Sequence, residues 1–276
     1  MAKVKYLCGV KNKKMHELGV SNMVITFLGT GTSQGVPVIG CECDVCMSND
    51  KRDLRLRTSV LIQIRDKSFV IDTGPDFRQQ MLREGVKKLE AIVFTHEHKD
   101  HLAGLDDIRA YNYWQKRTMD IYANSDVERA IKRDFHYSFD ESIKGGVPKM
   151  NIINIHRDNF ELGGEIWSPL PVMHDKMEVL GFRIGDFAYV TDVNYISKET
   201  FEKLNGVKVL VISALRKFEH PSHFSLPEVL EVIQNIKPDA AYLTHMSHLI
   251  GMHKELEVEL PNGVFPAFDG LKIVSE

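Results

Sequence analysis

Short apolar runs separated by turn residues dominate the first part of the chain. Residues 24–28, 59–64 and 68–71 read as strands, and Arg65-Asp66-Lys67 supplies a tight turn between the last two. Residues 75–84 read as a helix, with Pro75 suited to its first turn. Residues 91–94 form a continuous apolar run, the pattern of a buried strand. Residues 125–135 look helical, and residues 151–170 hold short strands broken by Gly163-Gly164. Residues 178–184 and 188–190 pair as a hairpin over Gly185-Asp186, and residues 209–212 and 240–243 are two further buried strands. Between these, Ser225 caps a helix, with Glu228 completing a capping box. Two sheets packed face to face with helices outside satisfy this order of elements. Residues 1–22 are polar and aperiodic and read as a tail. Met23 is then a candidate native start, and residues 23–276 form one domain.

Composition narrows the picture. Of 276 residues, 43% are hydrophobic and 26% charged, as in ordinary globular proteins. The formal net charge of -3 does not favour long nucleic acid as a partner. No apolar run is long enough to span a bilayer, and residues 1–22 lack a hydrophobic signal core. A cytoplasmic location without membrane association is the expectation. Cys41, Cys43 and Cys46 crowd one short loop, too close for ordinary disulfides among themselves, and read as a metal site. Cys8 falls in the tail and is assigned no ligand role.

The sharpest signal follows the buried strand at 91–94. His96, His98, Asp100 and His101 occur within six positions. Alternate residues of an extended chain point the same way, so His96 and His98 can reach one metal together. The turn after them can aim Asp100 and His101 at a second point. Imidazole and carboxylate are ligands that zinc, manganese and iron accept. Further candidates stand just beyond apolar strands: His174, Asp192 and His245. Three thiolates lack one ligand for a tetrahedral zinc site, and His248 can supply it, pinning the early loop to the late one. The alternative is three reduced, unliganded cysteines.

On Thr95-His-Glu-His-Lys-Asp-His101, with His174, Asp192 and His245 following in order, the chain resembles the metallo-β-lactamase superfamily from Met23 to about Ile273. The resemblance implies a four-layer αββα sandwich with two metal ions at one edge, zinc, manganese or iron. It implies His96, His98 and His174 on one ion, Asp100, His101 and His245 on the other, and Asp192 bridging, with a hydroxide between the metals as nucleophile. Asp72, in Phe69-Val-Ile-Asp-Thr-Gly74, looks like the early aspartate that supports this site; the plainer alternative is a turn aspartate. Gly29-Thr-Gly-Thr-Ser-Gln-Gly-Val-Pro37 followed by C-x-C-x-x-C, with T-H-x-S-H later, is similar to the branch holding the phosphoribosyl cyclic phosphate phosphodiesterases of the carbon–phosphorus lyase pathway and the tRNA 3′-processing endonucleases. The glycine-rich stretch can cradle phosphate or simply form a sharp turn beside the metals.

Cleavage of a phosphodiester expels an alkoxide, which benefits from a general acid. His223, in Ser222-His-Phe-Ser-Leu226, matches the branch's catalytic histidine and is the candidate donor, with His220 second. His16, His136, His156 and His253 receive no role. The expected activity is hydrolysis of a small, cyclic phosphodiester, with one further structural zinc. The competing readings are a tRNA-processing type of nuclease, for which no long basic, glycine-rich insertion is evident, a thioester or lactam hydrolase, and a metal-stabilised binding protein. Asp192 fits phosphodiester or thioester hydrolysis better than lactam hydrolysis. Similar enzymes often form homodimers. Residues 111–160, which would line the substrate pocket, carry no readable motif.

Overall fold

Side chains of a strand alternate between its two faces, and here that alternation builds three apolar layers. In the computed structural model, which describes residues 23–143 and 145–275, the first half runs β1 (Met23–Gly29), β2 (Ser59–Ile64), β3 (Lys67–Ile71), α1 (Phe77–Glu84), β4 (Ala91–Val93), α2 (Lys99–Leu102), α3 (Arg109–Gln115), β5 (Met119–Ala123), α4 (Ser125–Asp134) and β6 (Met150–Asn154). The second half runs β7 (Phe160–Leu162), β8 (Glu165–His174), β9 (Met177–Ile184), β10 (Phe187–Val190), β11 (Tyr195–Ile196), α5 (Lys198–Leu204), β12 (Val209–Ser213), α6 (Leu226–Ile236), β13 (Ala240–Thr244), α7 (His253–Glu259), β14 (Val264–Pro266) and β15 (Lys272–Ser275). The tail, the alternative start at Met23, Cys8 and His16 involve residues 1–22, outside the described residues.

One sheet has the order β15-β1-β2-β3-β4-β5-β6; the other is β11-β8-β9-β10-β12-β13-β14, with β7 added on β8. Ile62, Ile64, Phe69 and Ile71 face Trp167, Phe182, Tyr189 and Val211 between the sheets. The alternate residues Leu61 and Val70 pack outward with Phe77 and Ile131, and Leu210 and Ile212 pack outward with Val229 and Ile233. The result is the αββα sandwich. The run β3-β4-β5-β6 is parallel within itself, as is the run β10-β12-β13-β14, while β3 and β10 pair antiparallel with β2 and β9. Burial on both faces explains why β4, β12 and β13 are continuous apolar runs. Crevices at the carboxyl ends of such strands are where ligands bind in open α/β sheets.

The capping box forms as read: Glu228 accepts hydrogen bonds from the Ser225 N–H at 2.7 Å and its hydroxyl at 2.5 Å. Pro75 does not enter α1, which starts at Phe77. The intervening Asp76 is held by a tertiary contact instead, accepting from the Arg57 N–H at 2.8 Å.

Candidate metal centre

Four strand ends deliver the histidine and aspartate cluster. β4 leads into His96, His98, Asp100 and His101; β8 ends on His174; Asp192 follows β10; His245 follows β13 at once. Asp72 (φ +65°), Asp192 (φ +50°) and His245 (φ +54°) all occupy the left-handed region, where a residue with a Cβ is strained. The strain bends each chain away from its strand and turns the side chain into the crevice. Close backbone packing helps hold it. A Cβ on Gly74 would lie 2.1 Å from the Asp100 carbonyl oxygen, so only glycine lets the Asp72 turn reach the ligand loop.

Asp72 organises the first cluster from behind, and one aspartate thereby fixes two rings. Its Oδ1 accepts from the Thr95 N–H at 2.9 Å, and its Oδ2 accepts from the Thr95 hydroxyl at 2.8 Å. Having donated its proton there, Thr95 Oγ1 can only accept from His96 Nδ1, 2.9 Å away. His101 Nδ1 donates to Asp72 Oδ2 at 2.7 Å. His174 Nδ1 lies 2.7 Å from the Ser222 carbonyl, which can only accept. These bonds protonate Nδ1 on His96, His101 and His174 and leave each Nε2 with a free lone pair, the arrangement that outer partners impose on metal-binding histidines.

The free donors fit metal ions. The Nε2 atoms of His96, His101 and His245 are buried without any hydrogen-bond partner, which is costly unless something electrophilic meets them. Ligands at 2.0–2.1 Å from a tetrahedral ion lie about 3.3 Å apart. His101 Nε2 is 3.3 Å from Asp100 Oδ2 and 3.2 Å from Asp192 Oδ2; His245 Nε2 is 3.1 Å from Asp192 Oδ1 and 3.6 Å from Asp100 Oδ2. Asp192 thus turns one oxygen to each of these histidines. Asp100, His101 and His245 form one convergent donor set; His96, His101 and Asp192 form another, and His174, Asp192 and His223 a third. His98 adjoins them through ring contacts, 4.7 Å from His96 and 5.3 Å from His174 between centroids. Burial works against a proton on His101, but Asp100, Asp192 and Asp72 outweigh it and hold its pKa well above the ordinary value. A divalent cation would take the place of that proton. Burial also tends to raise the pKa of Asp192, but His245 and His101 overcome this and keep it well below the usual carboxylate range.

A second cluster lies on the outer side of His245. Cys41 Sγ and Cys43 Sγ are each 3.3 Å from His248 Nδ1, and Cys46 Sγ is 3.5 Å from it. Thiolates and an imidazole around one zinc ion stand about 3.5 Å apart at ordinary bond lengths. The four residues therefore meet at one point, as their spacing predicts. Burial pushes the Cys46 thiol up to about 11, whereas the Cys46 backbone N–H first, and His248 after it, lower Cys43 to about 6.

His223 stands beside the first cluster. Its ring is buried, stacked on His245 at 5.0 Å and 4.4 Å from His174, and its Nδ1 has no hydrogen-bond partner. Burial, then His245, depress its pKa to about 3. His220 lies three positions earlier on the same loop, its ring centroid 5.2 Å from that of His223, and contacts Ser222. Several supporting residues escaped the sequence reading. Thr95 is visible in the motif but its role is not, and Thr58, outside the motifs, accepts a hydrogen bond from the His245 N–H on its hydroxyl oxygen at 3.1 Å. The glycine-rich stretch serves a close approach: a Cβ on Gly29 would lie 1.9 Å from the Arg57 carbonyl oxygen. His253, given no role, accepts a contact from the buried Arg55 at 3.5 Å.

Residues 67–246 match the family described as Beta-lactamase superfamily domain, and the chain belongs to that superfamily. Its sandwich and strand-end donor cluster are those of the metallo-β-lactamase fold. Among solved structures it is similar to one described as a new diphosphatase from the PhnP family, with 41% identity, a TM-score of 0.87, and 92% of this chain and 97% of that chain covered. The short form of human tRNase Z shares the fold at 16% identity and a TM-score of 0.65, over 90% of this chain and 98% of that one. A protein of Porphyromonas gingivalis named octanoyltransferase is 39% identical over 251 residues, which cover 90% of this chain and 50% of that protein. The chain therefore spans about half the length of that relative. No helix among the described residues is long and apolar enough to cross a membrane.

Proposed function

We propose that the chain is a dinuclear metal-dependent phosphodiesterase acting on a small phosphodiester, cyclic in the simplest case. The observation that carries this reading is His223: a buried imidazole whose Nδ1 has no hydrogen-bond partner and stands 3.8 Å from Asp192 Oδ1, held against the donor cluster where a departing oxygen needs a proton. In this reading His96, His98 and His174 hold one ion, Asp100, His101 and His245 the other, and Asp192 lies between them. Cys41, Cys43, Cys46 and His248 hold a structural zinc. Zinc, manganese or iron suits the imidazole and carboxylate set. When bound, the two ions acidify a water for attack on phosphorus and neutralise charge on the phosphoryl oxygens.

The protein's own residues do the remaining work. Asp72 and Thr95 keep His96 and His101 in the required tautomer. The Ser222 carbonyl does the same for His174. His223 donates to the leaving oxygen, and an anionic diester beside it opposes the depression of its pKa. The net charge of -3 suits a small phosphorylated substrate better than long nucleic acid. Free thiols at Cys41, Cys43 and Cys46 suit a reducing, cytoplasmic compartment. The name octanoyltransferase belongs to a protein about twice this length. The three described thiols all lie within 3.5 Å of His248, so none is offered to an acyl group beside His223.

The test is hydrolysis of bis-p-nitrophenyl phosphate by protein loaded with Mn²⁺ or Zn²⁺, with His98→Ala as control. Turnover that disappears in the control supports the reading, and a panel of cyclic phosphates and diphosphate-linked compounds then sorts the substrate. Absence of turnover with two metals bound would sink it in favour of thioesters or other acyl substrates.

A further inference from the structure

We propose that Asn194 is a positioning residue whose single side-chain amide ties three loops together and thereby sets His223 against the donor cluster. The proposal rests on the reading of His223 as proton donor. Asn194 lies two residues past Asp192. Its backbone N–H donates to the Met173 carbonyl at 2.9 Å, extending the pairing of β11 with β8 next to His174. Its Oδ1 accepts from the Asp175 N–H at 3.0 Å, and its Nδ2 donates to the Pro221 carbonyl at 2.8 Å. A backbone N–H can only donate and a carbonyl can only accept, so the amide has one workable orientation and a flip forfeits both bonds.

The joined loops need such a tie. Asp175 and Asp192 sit at φ +54° and +50°, so the turns after β8 and β10 are both strained. The loop carrying His223 is closed at its base by Leu215 N–H to Phe224 and Leu226 N–H to Arg216, at 3.0 and 2.8 Å. Its tip is held where Pro221, Ser222 and Phe224 meet Asn194, His174 and the Val193 carbonyl. His223 is bracketed by those three bonds. The second uses a proposed ligand and the third is backbone to backbone. Asn194 is thus the side chain through which the loop can be loosened without touching a donor to the metals.

The experiment compares Asn194→Ala and Asn194→Asp, each alone and combined with His223→Ala, in the metal-loaded protein. With an alkyl phosphodiester, whose leaving oxygen needs a proton, Asn194→Ala is expected to lower kcat about 10- to 100-fold, the cost of a misplaced group, with KM changed far less. Bound metal stays at two active-site ions per chain. Amide exchange quickens across residues 219–224 while β12 and β13 keep their protection. Asn194→Asp keeps the acceptor for Asp175 but turns a carboxylate oxygen on the Pro221 carbonyl, so its kcat falls with that of the alanine variant. In the His223→Ala background, Asn194→Ala costs less than about twofold, because both changes remove the same contribution. Full multiplication of the two losses, wild-type kcat in Asn194→Asp, or unchanged exchange at residues 219–224 would overturn the proposal. Wild-type turnover in His223→Ala alone would instead remove the donor reading on which it rests, and exchange at residues 219–224 would still report on the tie itself.

Discussion

Only two residues separate His245 from His248, yet the two histidines face clusters of different construction. The first cluster is mostly buried, with Asp100 half-buried and His98 exposed at its rim; its backbone enters the left-handed region at Asp72, Asp192 and His245, and several of its donor nitrogens have no protein partner. The second lies on ordinary loop backbone, with Cys41 half-buried and Cys43 exposed, and its four donors converge on one point. Strain and unmet lone pairs mark a site built to hold ions while leaving room for another molecule; four protein donors around one point mark a closed site. The difference teaches that ligand type alone does not separate reactive from structural metal sites. How the backbone reaches the ligands does.

The largest expected effect tests that division directly. His98→Ala should lower diester turnover by about 10³-fold or more and reduce the active-site metal below two ions per chain, since a Lewis acid and its template are lost together. Metal analysis beside kinetics checks it. Retained turnover with full metal would dissolve the proposed division of ligands.

His223→Ala sharpens the comparison from inside the first cluster. Two ions should remain bound while kcat falls about 10²- to 10³-fold, the range for one acid–base group. A leaving group as acidic as p-nitrophenol needs little protonation, so the loss should grow with alkyl diesters. An equal loss for both substrates would argue that His223 only binds the phosphate.

Cys46→Ser probes the other side. It should cost one metal ion per chain and lower Tm by about 5–10 °C, if the closed site contributes roughly 2–3 kcal/mol, while the folded enzyme keeps kcat within a few-fold. The link to watch is short: Met246 lies between the clusters, and its N–H donates to the Thr30 carbonyl at 2.8 Å while its carbonyl accepts from Thr32 at 3.2 Å. A kcat loss as large as that of His223→Ala would show that the two clusters are not separable.

These contrasts bear on what was legible in the chain. The ligands after β4 could be read because a doubly buried strand is a continuous apolar run and its ligands follow locally. His174, Asp192 and His245 were visible because each directly ends such a run. β5, β14 and β15, together with α3, α5 and α7, gave no comparable signal. Each of these is short, and β15 is placed on its edge by pairing with β1. Tautomer control was also hidden, since nothing in a sequence says that Thr95 spends its proton on Asp72, 23 residues earlier. The polar floor between the clusters is still less local. Arg55 donates to the Ala267 carbonyl at 2.7 Å, and Asp269 accepts from Thr30 and Leu56 at 2.8 Å each.

That floor supplies the smallest expected effect, and it distinguishes the closed cluster's support from the reactive site. His253 lies beneath the cysteine loop; its N–H donates to Asp53, and its Nδ1 faces the Arg55 guanidinium, which can only donate. Burial, then Arg55, depress His253 to about 4. As pH falls from about 6.5 to 4, the unfolded chain takes a proton on this residue that the folded chain refuses. Stability is therefore lost on acidification through that window, by about 2 kcal/mol at pH 5. Asp269 acts in the opposite sense. Burial raises it to about 6, so the folded chain binds its proton first and gains stability as pH falls from 6 toward 4. In the wild type these two slopes partly cancel. His253→Gln should remove the destabilising one, so the variant gains about 2 kcal/mol on the wild type between pH 7.5 and 5 in urea unfolding at matched metal. A difference between variant and wild type that does not change with pH would mean that His253 is already protonated against Arg55 or reaches solvent, and the floor would then share no acid sensitivity with the cysteine loop above it.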